Sequence, residues 1–187
     1  MTQPPANLFW DSCVFSALLY DEKDTYNLAD IEQFLAEAQA GKHKIYTSSI
    51  VFAEIANSKV RRRSTGSIAD LINDLVGATV VIDASANVFQ IAGKLKDIPY
   101  SKSGSKKRVL STGDAVMLAT ALYLEDGFGV SVDVFHTFDN AKKKFIPLLG
   151  YHEWCENLTG EKAALAKRVC AMKREKPLHP SPTLPGT

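Results

Sequence analysis

Short runs of apolar residues alternate along this chain with longer segments that have the apolar spacing of helices. Runs rich in β-branched residues predict strands, and apolar residues three and four positions apart predict helices. Strands that alternate with helices are typical of an α/β fold. We therefore predict a three-layer α/β sandwich with a mostly parallel central sheet. The predicted strands are Leu8–Asp11, Lys44–Thr47, Thr79–Ile82 and Val130–His136.

The helices are predicted from capping residues at their starts and from glycines or basic residues at their ends. Residues 113–124 are apolar nearly all round, which predicts a buried helix. Residues 99–112 contain Gly104, several serines and four basic residues, and they predict a mobile, positively charged loop. The predicted helices are Ser12–Tyr20, Leu28–Ala40, Ile50–Val60, Ile68–Val76, Val88–Leu95, Gly113–Leu124 and Glu161–Lys176.

Length and composition indicate one globular domain with additions at its C-terminal end. The 187 residues suffice for a single core, and 45% of them are hydrophobic. We predict a main domain over residues 1–150, a helical extension over 151–176 and a disordered, proline-rich tail over 177–187.

Charge and cysteine content exclude several classes of protein. The net charge is +1, so a site for a polyanion has to come from local clusters of basic residues. Three cysteines without C-x-x-C spacing argue against a disulfide framework or a structural zinc site. No apolar stretch is long enough to span a bilayer, and residues 1–5 lack the features of a signal peptide. We expect a cytoplasmic protein.

Four acidic residues are predicted to meet at one edge of the sheet. Asp11 ends the first strand, and Asp139 follows the last one. Asp114 lies in the first turn of the apolar helix, and Glu54 lies in the second turn of the helix predicted over 50–60. Ligands of open α/β folds bind at the carboxyl edge of the sheet, where these acids should lie.

Converging carboxylates repel one another, and a divalent metal ion resolves this repulsion. Mg²⁺ prefers oxygen ligands, and such ions activate water and stabilise phosphodiester displacement. Glu54 and Asp114 occupy faces that the pattern predicts to be buried, and neither has an Arg or Lys beside it in sequence. The four acids therefore predict a metal site.

Taken singly, three of the acids also have ordinary structural explanations, whereas Glu54, an acid among apolar residues, is the hardest to explain in this way. Asp11 can cap the helix that follows it, Asp114 can interact with a helix dipole, and Asp139 can be a solvated loop residue. Cys13 needs a histidine partner to be a nucleophile, and a buried core thiol explains it as well. The histidines lack metal-ligand spacing, and no aromatic interleaving marks a platform for nucleic-acid bases.

The set of motifs resembles the PIN-domain nucleases, and among them the VapC-type toxins of bacterial toxin–antitoxin pairs. The likeness spans Leu8 to Leu149. An apolar strand ends in Asp11-Ser12, "TSSIVFAEI" carries Glu54, "GDAVMLATAL" carries Asp114, and "HTFDN" carries Thr137 and Asp139. Cys13 departs from the family pattern, since a small polar residue is more usual there.

The resemblance implies roles for these residues. Asp11, Glu54, Asp114 and Asp139 would form the catalytic, metal-binding cluster for Mg²⁺ or Mn²⁺, and Ser12 and Thr137 would support it by hydrogen bonding. The family hydrolyses single-stranded or structured RNA, commonly as a homodimer, and many toxins are inhibited by a cognate antitoxin protein.

Our leading hypothesis is a metal-dependent endoribonuclease, the toxin of a type II toxin–antitoxin pair. A haloacid-dehalogenase-like phosphatase is an alternative, although Cys13 replaces the second acid of its Asp-x-Asp motif. A non-catalytic PIN-like scaffold that binds RNA or a partner is another. Basic runs predict phosphate contacts or a solvated face, and the RNA-binding candidates are Arg61, Arg62, Lys106, Lys107 and Arg108.

Overall fold

The structure, a computed structural model, describes residues 5–61, 66–140 and 144–180 and places five strands of these residues in one sheet. The strands are β1 (Ala6–Trp10), β2 (His43–Ser48), β3 (Thr79–Ile82), β4 (Val134–His136) and β5 (Arg174–Glu175). Their order in the sheet is β3-β2-β1-β4-β5, and the pairs formed by neighbouring strands are all parallel within the described residues. The predicted α/β fold is confirmed.

Helices connect the strands and cover the sheet. They are α1 (Ser12–Leu19), α2 (Leu28–Gln39), α3 (Val51–Glu54), α4 (Ile68–Asp74), α5 (Ala86–Lys96), α6 (Thr112–Phe128) and α7 (Gly160–Ala171). No helix in the described ranges has the length and apolar character needed to cross a membrane.

The strand order creates a crevice at one point of the sheet. From β1 the chain adds β2 and β3 on one side, and it then returns to place β4 on the other side of β1. Because parallel crossovers are right-handed, this reversal puts the helices before β3 and those after it on opposite faces. The carboxyl ends of β1 and β4 therefore open onto a crevice, the usual ligand site of such sheets.

The helix α6 shows how local signals define an element near this crevice. The Ser111 hydroxyl caps its start by accepting a hydrogen bond from the Asp114 backbone N–H at 3.1 Å. It ends at Phe128, and the following Gly129 has a φ of 66°, a left-handed conformation that glycine adopts without steric cost. The helix is buried along most of its length, as its apolar pattern predicts.

The helix predicted over Ile50–Val60 is wrong beyond Glu54. The chain becomes extended at Ile55, whose side chain is buried, and the Ala56 backbone N–H donates to the Tyr20 hydroxyl at 2.8 Å. Asn57–Lys59 forms only a 3₁₀ turn. Tertiary contacts with α1 replace helical hydrogen bonds in a segment whose β-branched residues are weak helix formers.

The C-terminal prediction needs two corrections. The helix predicted to reach Lys176 ends at Ala171, and the chain then forms β5, which pairs with β4. Of the tail predicted to be disordered, Pro177 is buried and His179 contacts Glu37, while residues 181–187 lie outside the described residues. The domain division at residue 150 stays a prediction.

Candidate active site

A cavity of about 560 Å³ lies at the carboxyl edge of the sheet. The four acids singled out from the sequence all line it, although they come from four separate segments of the chain. Asp11, Asp114 and Asp139 are buried, with 3%, 6% and 9% of their surface exposed. The described lining residues are Asp11, Ser12, Cys13, Tyr26, Glu54, Ser111, Asp114, Phe138, Asp139, Asn140 and Phe145.

Asp11 occupies the N-cap position of α1, but its carboxylate makes no capping hydrogen bond to the helix. Its Oδ2 instead accepts from the Thr137 hydroxyl at 2.7 Å and from the Cys13 thiol at 3.0 Å. Its backbone N–H donates to the His136 carbonyl at 3.1 Å, which anchors it beside β4. The backbone of Asp11 thus starts the helix while its side chain lines the cavity.

Glu54 is exposed, so the expectation that it lies on a buried face is wrong. The reason is that α3 ends at Glu54, and its side chain extends into the cavity rather than into the core. The Ser12 hydroxyl donates to Glu54 Oε2 at 2.6 Å. A Cβ atom at Gly113 would overlap the Glu54 carboxylate, so the glycine makes room for that carboxylate beside the start of α6.

Asp114 is held in the first turn of α6 by the residue that caps the helix. The Ser111 hydroxyl contacts Asp114 Oδ2 and also accepts from the Asp114 backbone N–H. This reciprocal pair fixes the carboxylate close to the positive end of the helix dipole, where negative charge is stabilised. The helix start therefore orients Asp114 toward the cavity that it lines.

Asp139 joins the loop after β4 to the chain beyond it. Its backbone N–H donates to the Thr137 hydroxyl at 3.0 Å, and its Oδ2 accepts from the Leu148 backbone N–H at 3.0 Å. Thr137 therefore links Asp139 to Asp11, since its hydroxyl also donates to Asp11. The expectation that Asp139 alone would be a solvated loop acid does not describe this buried residue.

The donor set suits a hard divalent cation, because carboxylate oxygens are the ligands that Mg²⁺ and Mn²⁺ prefer. In the described part of the chain, however, no group of three or more His, Cys, Asp or Glu side chains is arranged so that it could hold a metal ion. The acids accept hydrogen bonds from hydroxyls, from the Cys13 thiol and from the Leu148 backbone N–H. The hydroxyls are those of Ser12, Thr137 and Ser111. The residues therefore fit a metal by the chemistry of their oxygen donors.

Cys13 is a neutral thiol in this arrangement. Burial raises its pKa well above 9.0, and the neighbouring Asp11 charge raises it further. Its sulfur also accepts from the Phe138 backbone N–H at 3.2 Å. A thiol that remains protonated is a poor nucleophile, so Cys13 acts here as a hydrogen-bond partner of Asp11.

Aromatic residues form part of the cavity wall, which the sequence did not reveal. Tyr26 stacks on Phe138 with ring centroids 3.9 Å apart, and Phe145 lines the same cavity. Phe138 is adjacent in sequence to Asp139, a signal that could have identified it. Tyr26 carries no local signal. It follows a polar segment and lies more than a hundred residues before Phe138 and Asp139 in the chain.

The structure does not gather those basic candidates that it describes at the cavity. Arg61 lines a separate cavity of about 360 Å³ with Tyr20, Glu22 and Lys59. Lys106 and Lys107 are exposed in the loop before α6. Arg108 lies over the Trp154 ring at 5.1 Å and donates to the Phe145 carbonyl at 3.3 Å, so it has structural contacts.

Some basic candidates cannot be placed. Arg62, with Arg63, Lys142 and Lys143 of the basic runs, lies outside the described residues.

Comparison with known proteins identifies a family. The PIN domain family model matches residues 8–144, which is most of the chain. No curated protein matches the sequence. The match confirms the predicted resemblance to the PIN-domain proteins, and members of this family are generally metal-dependent nucleases. It offers no support for the phosphatase alternative.

Proposed function

Since the chain belongs to the PIN domain family, we propose that it is a metal-dependent endoribonuclease that hydrolyses RNA phosphodiester bonds. One observation carries the proposal. Four carboxylates from four separate segments of the chain line one cavity at the carboxyl edge of the sheet. Their convergence depends on the tertiary structure, because no two of the four acids belong to the same helix, strand or loop.

Asp11, Glu54, Asp114 and Asp139 would hold Mg²⁺ or Mn²⁺, with their oxygen atoms as ligands. A bound ion of this kind supplies an activated water and stabilises the charge of the attacked phosphate. Thr137 and Ser12 keep two of the acids oriented, through hydrogen bonds to Asp11 and Glu54. Cys13 donates a hydrogen bond to Asp11 and stays protonated, so it does not compete with water as the nucleophile.

Exposed basic residues would bind the RNA backbone. Lys106 and Lys107 lie in the loop that leads into α6, the helix that carries Asp114. Arg61 and Lys59 form a second basic surface at their own cavity, and Arg62 stays a sequence-based candidate. Phosphate contacts make binding weaken with salt, so removing Lys106 and Lys107 together should reduce the salt dependence of RNA binding.

A cleavage assay tests the proposal. The purified chain should cleave RNA with Mg²⁺ or Mn²⁺, stop in EDTA, and lose activity when Asp11 is changed to Asn. Asp74→Asn is the matched control, because Asp74 is an exposed acid at the end of α4 and lies outside the cavity lining. Equal cleavage by the Asp11→Asn variant and the wild type would refute the assignment.

The alternatives have their own outcomes. Turnover of a phosphomonoester without RNA cleavage would favour a phosphatase. RNA binding with neither cleavage nor stabilisation by Mn²⁺ would favour a non-catalytic scaffold, because a ligand that binds only the folded state must stabilise it.

The toxin role is a finer part of the proposal and is supported by the VapC-type motifs alone. It includes a cytoplasmic location, a homodimer and a cognate antitoxin protein as inhibitor. Expression in a bacterial host should arrest growth, and the Asp11→Asn variant should not. Normal growth with an enzymatically active chain would contradict the toxin role and leave the nuclease assignment intact.

A further inference from the structure

The acidic cavity has one wall that metal chemistry does not explain. Tyr26, Phe138 and Phe145 line it together with the four carboxylates. These aromatic residues come from three places in the chain: the segment before α2, the loop after β4, and the segment that follows residues 141–143. A hydrolytic metal site needs carboxylates and water, and aromatic rings serve neither purpose.

Tyr26 and Phe138 form a preassembled stack. Their ring centroids are 3.9 Å apart with an interplanar angle of 24°. Phe138 is buried, and its backbone N–H is bound by the Cys13 sulfur beside Asp11. Tyr26 is only half-buried, and its backbone N–H is held by the Glu22 carbonyl at 3.0 Å. The partly accessible ring of Tyr26 is thus fixed in position against a buried one.

Phe145 is the most accessible ring of the wall, with 37% of its surface exposed. Its backbone is fixed by a parallel bridge to Val109, and the Ile146 N–H donates to the Val109 carbonyl at 3.1 Å. Arg108 also donates to the Phe145 carbonyl. An exposed phenylalanine on a fixed backbone costs solvation free energy that a stacked ligand would recover.

We propose that Tyr26 and Phe145 form a stacking site for an unpaired nucleobase next to the phosphate that is cleaved. This inference rests on the proposed function, because the acids beside the rings define where the phosphate lies. Bases stack on aromatic side chains with little dependence on sequence, since every base has a π-face. In a duplex, neighbouring base pairs already cover these faces.

The size and chemistry of the cavity agree with this occupant. Its volume of about 560 Å³ falls in the range of about 300–1,000 Å³ that is usual for small-ligand sites, which is ample for one nucleotide. The lining offers carboxylates for a metal-bound phosphate and aromatic rings for the attached base. A wholly apolar ligand would leave the buried acids without their solvent or ion, so it fits the cavity poorly.

Binding of a short single-stranded RNA that contains 2-aminopurine tests the inference, because this base loses fluorescence when it stacks. The full chain is titrated with the RNA in Ca²⁺, and a duplex of the same sequence is titrated in parallel. We expect quenching at one position of the single strand. Tyr26→Leu and Phe145→Leu should each weaken single-strand binding about 5- to 150-fold, since one base stack contributes that much. Duplex binding should change little.

Two further variants separate stacking from folding. Tyr26→Phe keeps the ring and should bind like the wild type. Tyr123→Leu removes a half-buried tyrosine of α6 that packs on Phe128, away from the cavity lining, and should also bind like the wild type. Phe145→Leu alters an exposed ring, so it remains informative if Tyr26→Leu unfolds. An unchanged affinity in Phe145→Leu and Tyr26→Leu, or an equal loss for the duplex, would overturn the inference.

The outcomes also distinguish this inference from the nuclease assignment. Metal-dependent cleavage that needs Asp11 but shows no quenching would refute the stacking site and leave the nuclease intact. Quenching that depends on Tyr26 and Phe145 in a chain that cleaves no RNA would support the stacking site and refute the nuclease.

Discussion

Glu37 and the acids of the cavity are all carboxylates held against the sheet, yet their surroundings differ. Glu37, at the end of α2, is contacted by His43 Nε2 at 2.9 Å, His179 Nε2 at 3.2 Å and Lys42 Nζ at 3.3 Å. We call these four residues the Glu37 cluster. Burial would raise the pKa of Glu37, but hydrogen bonds from the two histidines, Gln33 and Lys42 prevail and lower it from 4.5 to about 2.

In the cavity, several carboxylates converge instead of one. The contacts described for them come from hydroxyl, thiol and backbone N–H donors, as at Asp11 and Asp114. A single acid among basic partners stabilises the fold, whereas like charges that share an open cavity favour binding of a cation. Proximity of an acid to the sheet therefore does not mark a site. A functional site is indicated instead by several acids that line one cavity.

The largest expected effect is on RNA cleavage, which should depend on the acids of the cavity and not on Glu37. Asp114→Asn should lower kcat/KM for RNA cleavage on the order of 1,000-fold, about 4 kcal/mol of transition-state stabilisation, because it removes a proposed metal ligand. Glu37→Gln should leave kcat/KM nearly unchanged. Steady-state kinetics with Mn²⁺ provide the measurement, and comparable losses in both variants would erase the functional distinction between the groups.

The next effect is on stability and comes from His136. This residue contacts α2, which carries Glu37, and its carbonyl accepts from the Asp11 backbone N–H. Its ring contacts Phe34 of α2, and its Nδ1 accepts from the Trp10 Nε1–H at 3.1 Å. Burial lowers the pKa of His136 from 6.5 to about 4, since the low-dielectric interior disfavours the charged ring. Between these values the unfolded chain binds a proton that the folded chain does not, so stability falls as the pH decreases.

We expect this protonation to reduce the free energy of unfolding by about 3 kcal/mol between pH 6.5 and pH 4. Urea denaturation across that range measures it. His136→Gln removes the titrating group but keeps an acceptor for Trp10, and its stability should depend less on pH. A pH dependence that is identical in the variant would show that His136 is not the group responsible.

Glu37 should affect stability at lower pH. Its folded pKa of about 2 lies below its ordinary value of 4.5, so its contribution is present above pH 4.5 and is lost as the pH falls toward 2. Glu37→Gln should cost about 3 kcal/mol near neutral pH, and the difference from the wild type should vanish in acid. Denaturation curves of the two chains at each pH test this. A difference that persists in acid would contradict an electrostatic origin.

The smallest effect concerns metal binding by the folded chain. Mn²⁺ at about ten times its dissociation constant should stabilise the wild type by about 1.4 kcal/mol. The Asp11→Asn variant should lose most of this gain, whereas Glu37→Gln should keep it although it is less stable. Thermal unfolding with and without Mn²⁺ gives the comparison. Equal stabilisation of all three chains would place the ion outside the acidic cavity.

Sequence periodicity predicted the elements whose signals are local. The strand at Thr79–Ile82 has the predicted bounds, and the buried helix near residues 113–124 differs mainly in its ends. The segment after Glu54 was predicted wrongly, because the backbone N–H groups of Ala56 and Arg61 donate to the Tyr20 hydroxyl and the Leu19 carbonyl at the end of α1. β5 was missed because its two residues, Arg174 and Glu175, have no strand pattern and pair only through β4.

The sequence by itself determined the α/β class, the order of the acidic motifs and the positions of Asp11 and Asp114 at helix starts. These depend on short-range spacing and capping, which the chain encodes locally. Only the tertiary structure decided that Glu54 is exposed, that Cys13 binds Asp11, and that Tyr26 stacks on Phe138 in the same cavity. Such contacts join residues far apart in the chain, so they depend on how the strands order in the sheet rather than on any local pattern.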